Sequence, residues 1–157
     1  MDEFRVPVAS KEVVIEFLDG VQTAGLVFIP SSAPDHDGQM RLVEWINGAE
    51  DFFPFKVHGG GDSVLINKQN VLHLSAYHDR DNGDYDEIDD TQKFRVRVET
   101  PHGHLSGYLV MDVPINKLRA LDVMNNERQF VFLVEGGKEV HINKRFIVKA
   151  MEGGEGE

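Results

Sequence analysis

The hydrophobic positions along the chain form two successions of short runs, and the runs keep the same order both times. Glu12–Phe17 is rich in Val, Ile and Phe, and Gln22–Ile29 is a second such run with Gly25 inside it. Asp19-Gly20 lies between them, a dipeptide that suits a tight hairpin because it tolerates positive φ. Two strands joined by a hairpin turn are therefore predicted, followed by a loop over Pro30–Gly38. In Met40–Asn47 the residues Leu42, Trp45 and Ile46 recur at i, i+3 and i+4, the spacing of a short helix with one apolar face. Asn47-Gly48 ends it in the manner of a left-handed cap. Strands follow at Phe52–Val57, Ser63–Asn67 and Val71–Tyr77, with a turn at His58–Asp62. The second succession opens with Phe94, Val96 and Val98 alternating with Arg95, Arg97 and Glu99, the period of a half-buried strand. Pro101-His102-Gly103 reads as a turn one residue longer than its counterpart. A strand at Leu105–Met111, a short helix at Lys117–Asn125, and strands at Gln129–Glu135, Glu139–Asn143 and Ile147–Ala150 complete the copy.

The repeat is anchored by Val64-Leu65-Ile66-Asn67-Lys68 and Val140-His141-Ile142-Asn143-Lys144, both V-x-I-N-K. Arg41–Asn47 matches Arg119–Asn125, and Phe52-Phe53-Pro54-Phe55 matches Phe130-Val131-Phe132-Leu133. Gly25 matches Gly107, and Val13–Phe17 is aligned with Phe94–Val98. The expected organisation is a lead-in over 1–10, a first repeat over 11–78 and an acidic linker over 79–92. A second repeat over 93–151 and an acidic tail over 152–157 follow. Each unit reads strand, strand, helix, hairpin, strand. Five short strands in about 65 residues suit a small curled barrel, which protects its strand edges by closing. A domain of that size buries only about 60% of its unfolded surface, so the copies are expected to pack together. Phe52, Phe53 and Phe55 with Phe130, Val131 and Phe132 offer more apolar side chains than one small sheet can hide. Some of them should face the other repeat or another subunit.

The D-G turn, the glycine inside the second strand and the hairpin ending in I-N-K-x-x-(V/I) are similar to Sm-like domains. That resemblance implies a mainly β fold of two tandem five-stranded SH3-like or Sm-like barrels, here with a short helix between strands 2 and 3. It places Lys68 and Lys144 where the family carries a basic residue after its fourth strand, and it implies RNA binding. The helix and the missing D-x-(aromatic)-x-N signature in the third strand depart from the family. A poorly characterised bacterial domain family is also resembled, and it implies no activity.

Composition narrows the functional classes. The 157 residues include no cysteine, which excludes disulfides and thiolate chemistry. No apolar run reaches the roughly 18–20 residues of a membrane span, and the N-terminus has no basic-then-apolar signal order. A cytoplasmic protein without membrane contact is expected. The net charge is −11, but residues 79–90 contribute −6 and residues 151–157 contribute −3. The body is close to neutral, and the overall field opposes polyanions such as RNA.

Motifs for catalysis are missing: there is no G-x-S-x-G, Walker A or dinucleotide fingerprint, and His58-Gly59-Gly60-Gly61 reads as a hairpin turn. The seven histidines lack H-E-x-x-H or a cysteine partner, so His73, His102, His104 and His141 read as structural. Asp79–Asp84 places its glycine fifth rather than sixth, which does not make a calcium loop. No catalytic residue, metal or cofactor is expected. What both copies share is a polar set, Arg41, Asn47, Asn67 and Lys68 with Arg119, Asn125, Asn143 and Lys144. Asparagine at a helix end or after a strand commonly satisfies backbone groups, and the remaining reading is a repeated partner or ligand surface. The expected function is a non-enzymatic interaction or regulatory module whose partner is protein, self or heterologous. The alternative is an Sm-like RNA binder.

Overall fold

The computed structural model describes residues 8–30, 40–77, 93–110 and 120–152. In chain order these form β1 (Val8–Phe17), β2 (Gln22–Pro30), α1 (Leu42–Ile46), β3 (Phe52–Val57), β4 (Ser63–Asn67) and β5 (Val71–Tyr77). The second succession is β6 (Lys93–Thr100), β7 (Gly103–Val110), α2 (Ala120–Met124), β8 (Phe130–Glu135), β9 (Lys138–Asn143) and β10 (Lys149–Glu152). β1 begins at Val8, inside the expected lead-in, and Glu152 ends β10 rather than starting the tail. The expected linker over 79–92 and the tail beyond 152 lie outside the described residues.

All ten strands pair into one antiparallel sheet in the order β10-β6-β7-β8-β9-β5-β1-β2-β3-β4. The fold is mainly β, as expected, but the sheet is not closed, and this corrects the expectation of two separate barrels. The reason lies in β5, which pairs with β1 on one side and with β9 on the other. The edge that would close the first unit on itself is thus satisfied by the second. Each unit still gathers round an apolar cluster, to which strands such as β2 and β3 turn alternate positions inward. Val13, Ile15, Val27, Ile29, Phe53, Phe55, Val71 and Leu74 fill the first, and Val96, Val98, Leu109, Val131, Leu133 and Ile142 fill the second. Curling requires close backbone approach at Gly25 and Gly107. A Cβ at Gly25 would run into the Lys56 carbonyl and the Phe55 ring, and one at Gly107 would come within 3.1 Å of Leu133 Cβ and the Val134 carbonyl.

The helices are single turns. α1 starts with the Arg41 amide donating to Glu44 Oε1 at 3.1 Å, and it buries Leu42, Val43 and Ile46. The repeated Asn-Lys acts locally as a turn former. Asn67 Oδ1 accepts from the Gln69 amide at 3.0 Å and Asn143 Oδ1 accepts from the Arg145 amide at 3.1 Å. Each asparagine so caps the single 3-10 turn that carries the chain from the fourth strand of its unit into the fifth.

Strand pairing also resets one alignment. Val13 lies opposite Gly25 and Val96 lies opposite Gly107, so Val13 corresponds to Val96 and not to Phe94. Glu16 pairs with Gln22 across five residues, whereas Glu99 pairs with His104 across four. The second turn is the shorter one, against the expectation.

Candidate functional site

The repeated polar residues divide between two environments. One group meets at the junction of the units, where β9 runs along β5 with Leu74 opposite His141 and Ala76 opposite Glu139. There Asn143 is fully buried, and its Nδ2 donates to the Lys68 carbonyl at 3.2 Å and the Val71 carbonyl at 3.0 Å. Asn47, at the end of α1, accepts the Phe130 amide on Oδ1 at 2.8 Å and donates from Nδ2 to the Val43 carbonyl at 2.9 Å. Lys68 is buried, and its Nζ donates to the Gly48 carbonyl at 3.1 Å. Burial pushes its pKa below the ordinary lysine value, against the opposing pull of Glu50 and Asp51.

The second group sits at the two ends of the sheet. Asn67 is half-buried at the end of β4. Asn125 is exposed after α2, and Lys144 binds the end of that helix, its Nζ donating to the Met124 carbonyl at 3.0 Å and the Asn126 carbonyl at 2.6 Å. Burial lowers the Lys144 pKa as well. Arg41 pairs with Glu44 at 3.7 Å, the ordinary helical pair expected. Arg119 lies outside the described residues. Of the eight residues read as one repeated surface, Asn47, Lys68 and Asn143 therefore lie in the internal seam, and Asn67, Asn125 and Lys144 at the two ends.

Phe130 and Phe132, among the aromatic residues expected to face the other repeat, complete the seam together with His141 and Glu139, which the sequence did not single out for it. Phe130 enters the core of the first unit, and Val43 packs with Phe132 under the seam. Phe132 stacks on His141, ring centroids 5.1 Å apart, and His141 Nε2 lies 2.7 Å from Glu139 Oε1. The available signal was the break in the repeat, His141 standing where the first copy has Leu65. His141 and Glu139 are enclosed, so the pair can brace the seam but offers nothing to a substrate. On the other face His73 Nε2 lies 3.2 Å from Glu16 Oε1, which also accepts from Gln22. Among the described residues no cluster of three or more His, Asp or Glu gathers as a metal site requires. No described helix is long and apolar enough to cross a membrane.

Burial holds the His73 imidazole below the usual histidine pKa, with Glu16 pulling it up and Lys138 pushing it further down. The unfolded chain then takes up this proton more readily than the folded one, so the stability it contributes is present above about pH 6.5 and is lost as pH falls below. The melting temperature should decline from pH 7.5 to 5.5, and His73→Gln should make that decline shallower. The ceiling is about 1.4 kcal/mol per pH unit for one proton. An unchanged slope in the variant would mean that His73 is not the group involved.

Comparison with protein-family models, curated proteins and solved structures finds no match for the chain.

Proposed function

We propose that this protein is a non-enzymatic interaction module that engages protein partners through the two ends of its sheet. The observation that carries this reading is the apolar surface gathered at those ends. Phe52 is 52% exposed and Leu65 71% exposed at the β3–β4 end, and Leu121 is 63% exposed beside β10 at the other. Open strand edges flanked by apolar side chains are templates for further strand pairing. The alternative of a small-barrel RNA binder would use Lys68 and Lys144, whose ammonium groups are spent on backbone carbonyls. A photo-reactive benzophenone side chain placed at Leu65 or Leu121 in living cells tests the reading, with Val14 in mid-sheet as the control. Protein adducts at both ends and none at the control are expected. Absence of protein adducts at the ends would overturn it. So would sub-micromolar binding of single-stranded RNA that weakens steeply with salt, which would assign the protein to RNA instead.

A further inference from the structure

The seam inside the chain has a counterpart that the chain leaves open. At the free end of the second unit lies a cavity of about 500 Å³ lined by Leu121, Met124, Lys144, Ile147, Ala150 and Glu152. By the repeat, which is in the same register on both hairpins, these six positions correspond to Val43, Ile46, Lys68, Val71, Leu74 and Ala76. Every one of those six is buried, covered where β8 and β9 of the second unit lie on the first. The side chain that the second unit contributes there is Phe130, buried in the same core cluster as Ile46, Val71, Leu74 and Ala76. Its counterpart is Phe52, half exposed at the opposite end of the molecule. Among the described residues the chain thus displays an unfilled socket at one end and the matching plug at the other.

Resting on the reading of the sheet ends as partner surfaces, we propose that the partner is a second copy of this chain. The β4 edge of one copy adds to the β10 edge of the next in the register that β9 keeps on β5, with Phe52 filling the cavity beside α2.

The register fixes what meets what. Leu74 opposite His141 becomes Ala150 opposite Leu65 of the second copy, and Ser75 opposite Val140 becomes Met151 opposite Val64 of the second copy. Leu121 takes the place of Val43 and meets Pro54 of the second copy, where Val43 meets Phe132 inside the chain. The polar bonds have donors and acceptors waiting. Asn125 stands where Asn47 accepts the Phe130 amide, ready for the Phe52 amide of the second copy. Asn67 of the second copy stands where Asn143 donates, facing the Lys144 and Ile147 carbonyls. The edge is prepared alike in both units, since Lys149 lies 3.9 Å from Glu99 where His73 pairs with Glu16. Inside the chain the contact is intramolecular, which gives it a high effective concentration. Between copies it must be won from free solution, and the joint differs accordingly: Leu65 replaces the enclosed imidazole of His141, and Ser63 replaces Glu139. Glu152 stands where Ala76 does, so the carboxylate of this pair moves from the entering strand to the receiving edge. The contact is heterologous, one end against the other, so it propagates into a ring or a filament and not into a two-fold dimer.

The full chain has no cysteine, so Leu65→Cys with Ala150→Cys gives a clean probe. Oxidation of this double variant should produce intermolecular disulfides linking residue 65 to residue 150, seen as multimers on a non-reducing gel and reversed by dithiothreitol. Adding Phe52→Asp, a change at an exposed site that leaves the monomer folded, should remove them. In sedimentation velocity the same substitution in the otherwise natural chain should weaken self-association at least tenfold. The proposal is overturned if the natural chain stays monomeric at all concentrations, if Phe52→Asp leaves assembly unchanged, or if Leu65→Cys alone dimerises as efficiently as the pair, which would mean two like edges meeting. In-cell adducts at Leu65 or Leu121 whose mass is not that of joined copies would overturn self-pairing while keeping the interaction module.

Discussion

Asn143→Ala lowers the melting temperature by about 4–16 °C, and Asn67→Ala, the same change in the first copy, lowers it far less when the chain is dilute. Both asparagines cap a 3-10 turn, and alanine removes that cap in each case. Loss of a side-chain cap costs about 0.5–2 kcal/mol. Only Asn143 also holds two carbonyls across the seam, those of Lys68 and Val71, at a fully buried position. Stranding buried polar groups raises the loss to about 2–4 kcal/mol, and each kcal/mol shifts the melting temperature of a chain this long by about 2–4 °C. The difference between the two variants, measured by circular dichroism at low concentration, isolates the seam bonds from the cap. Equal losses would show that those bonds contribute nothing.

The elements were legible because they rest on local rules. Asp19-Gly20 gives a hairpin, and Leu42, Trp45 and Ile46 give a turn of helix facing the core. Alternation in Arg95–Glu99 gives a strand, and the second V-x-I-N-K copy is the strand β9 that runs along the seam. The alignment of the first strands was not legible, since a slip of two residues keeps every side chain on its own face and satisfies the same alternation. Only the turn could decide it, and the turns differ in length, five residues between Glu16 and Gln22 against four between Glu99 and His104.

The open sheet was hidden for a different reason. Pairing of β5 with β9 joins residues such as Leu74 and His141 through backbone hydrogen bonds, which carry no side-chain signature, across a long separation in sequence. The fate of each repeated residue follows from that pairing. Asn47 and Asn143 look the same as Asn125 and Asn67 in sequence, yet the first two are drawn into the seam and the others are left at the ends. What sequence can offer is the place where the copies diverge. A buried histidine faces Phe132 in one copy, and a leucine accompanies Pro54 in the other. That divergence marks an internal contact against an external one.

Phe130→Ala is expected to have the largest effect of any single change, about 3–5 kcal/mol and thus a fall of about 6–20 °C in melting temperature. The ring belongs to β8 of the second unit but is buried in the core cluster of the first, which also holds Ile46, Val71 and Leu74. Removing it opens a cavity inside a unit to which it is not covalently close. Trp45, the one tryptophan of the chain, lies in α1 of the first unit with its ring 5.0 Å from that of Phe53. Its fluorescence therefore reports the first unit, while far-ultraviolet circular dichroism reports both. If the seam makes one cooperative body, the two signals fall together in Phe130→Ala and by the same amount. Phe52→Ala, with half its ring already in water, should move neither by more than about 1–3 °C in dilute solution. A Trp45 transition that stays in place while the dichroism shifts would mean that the second unit melts alone. The sheet would then be two bodies laid edge to edge.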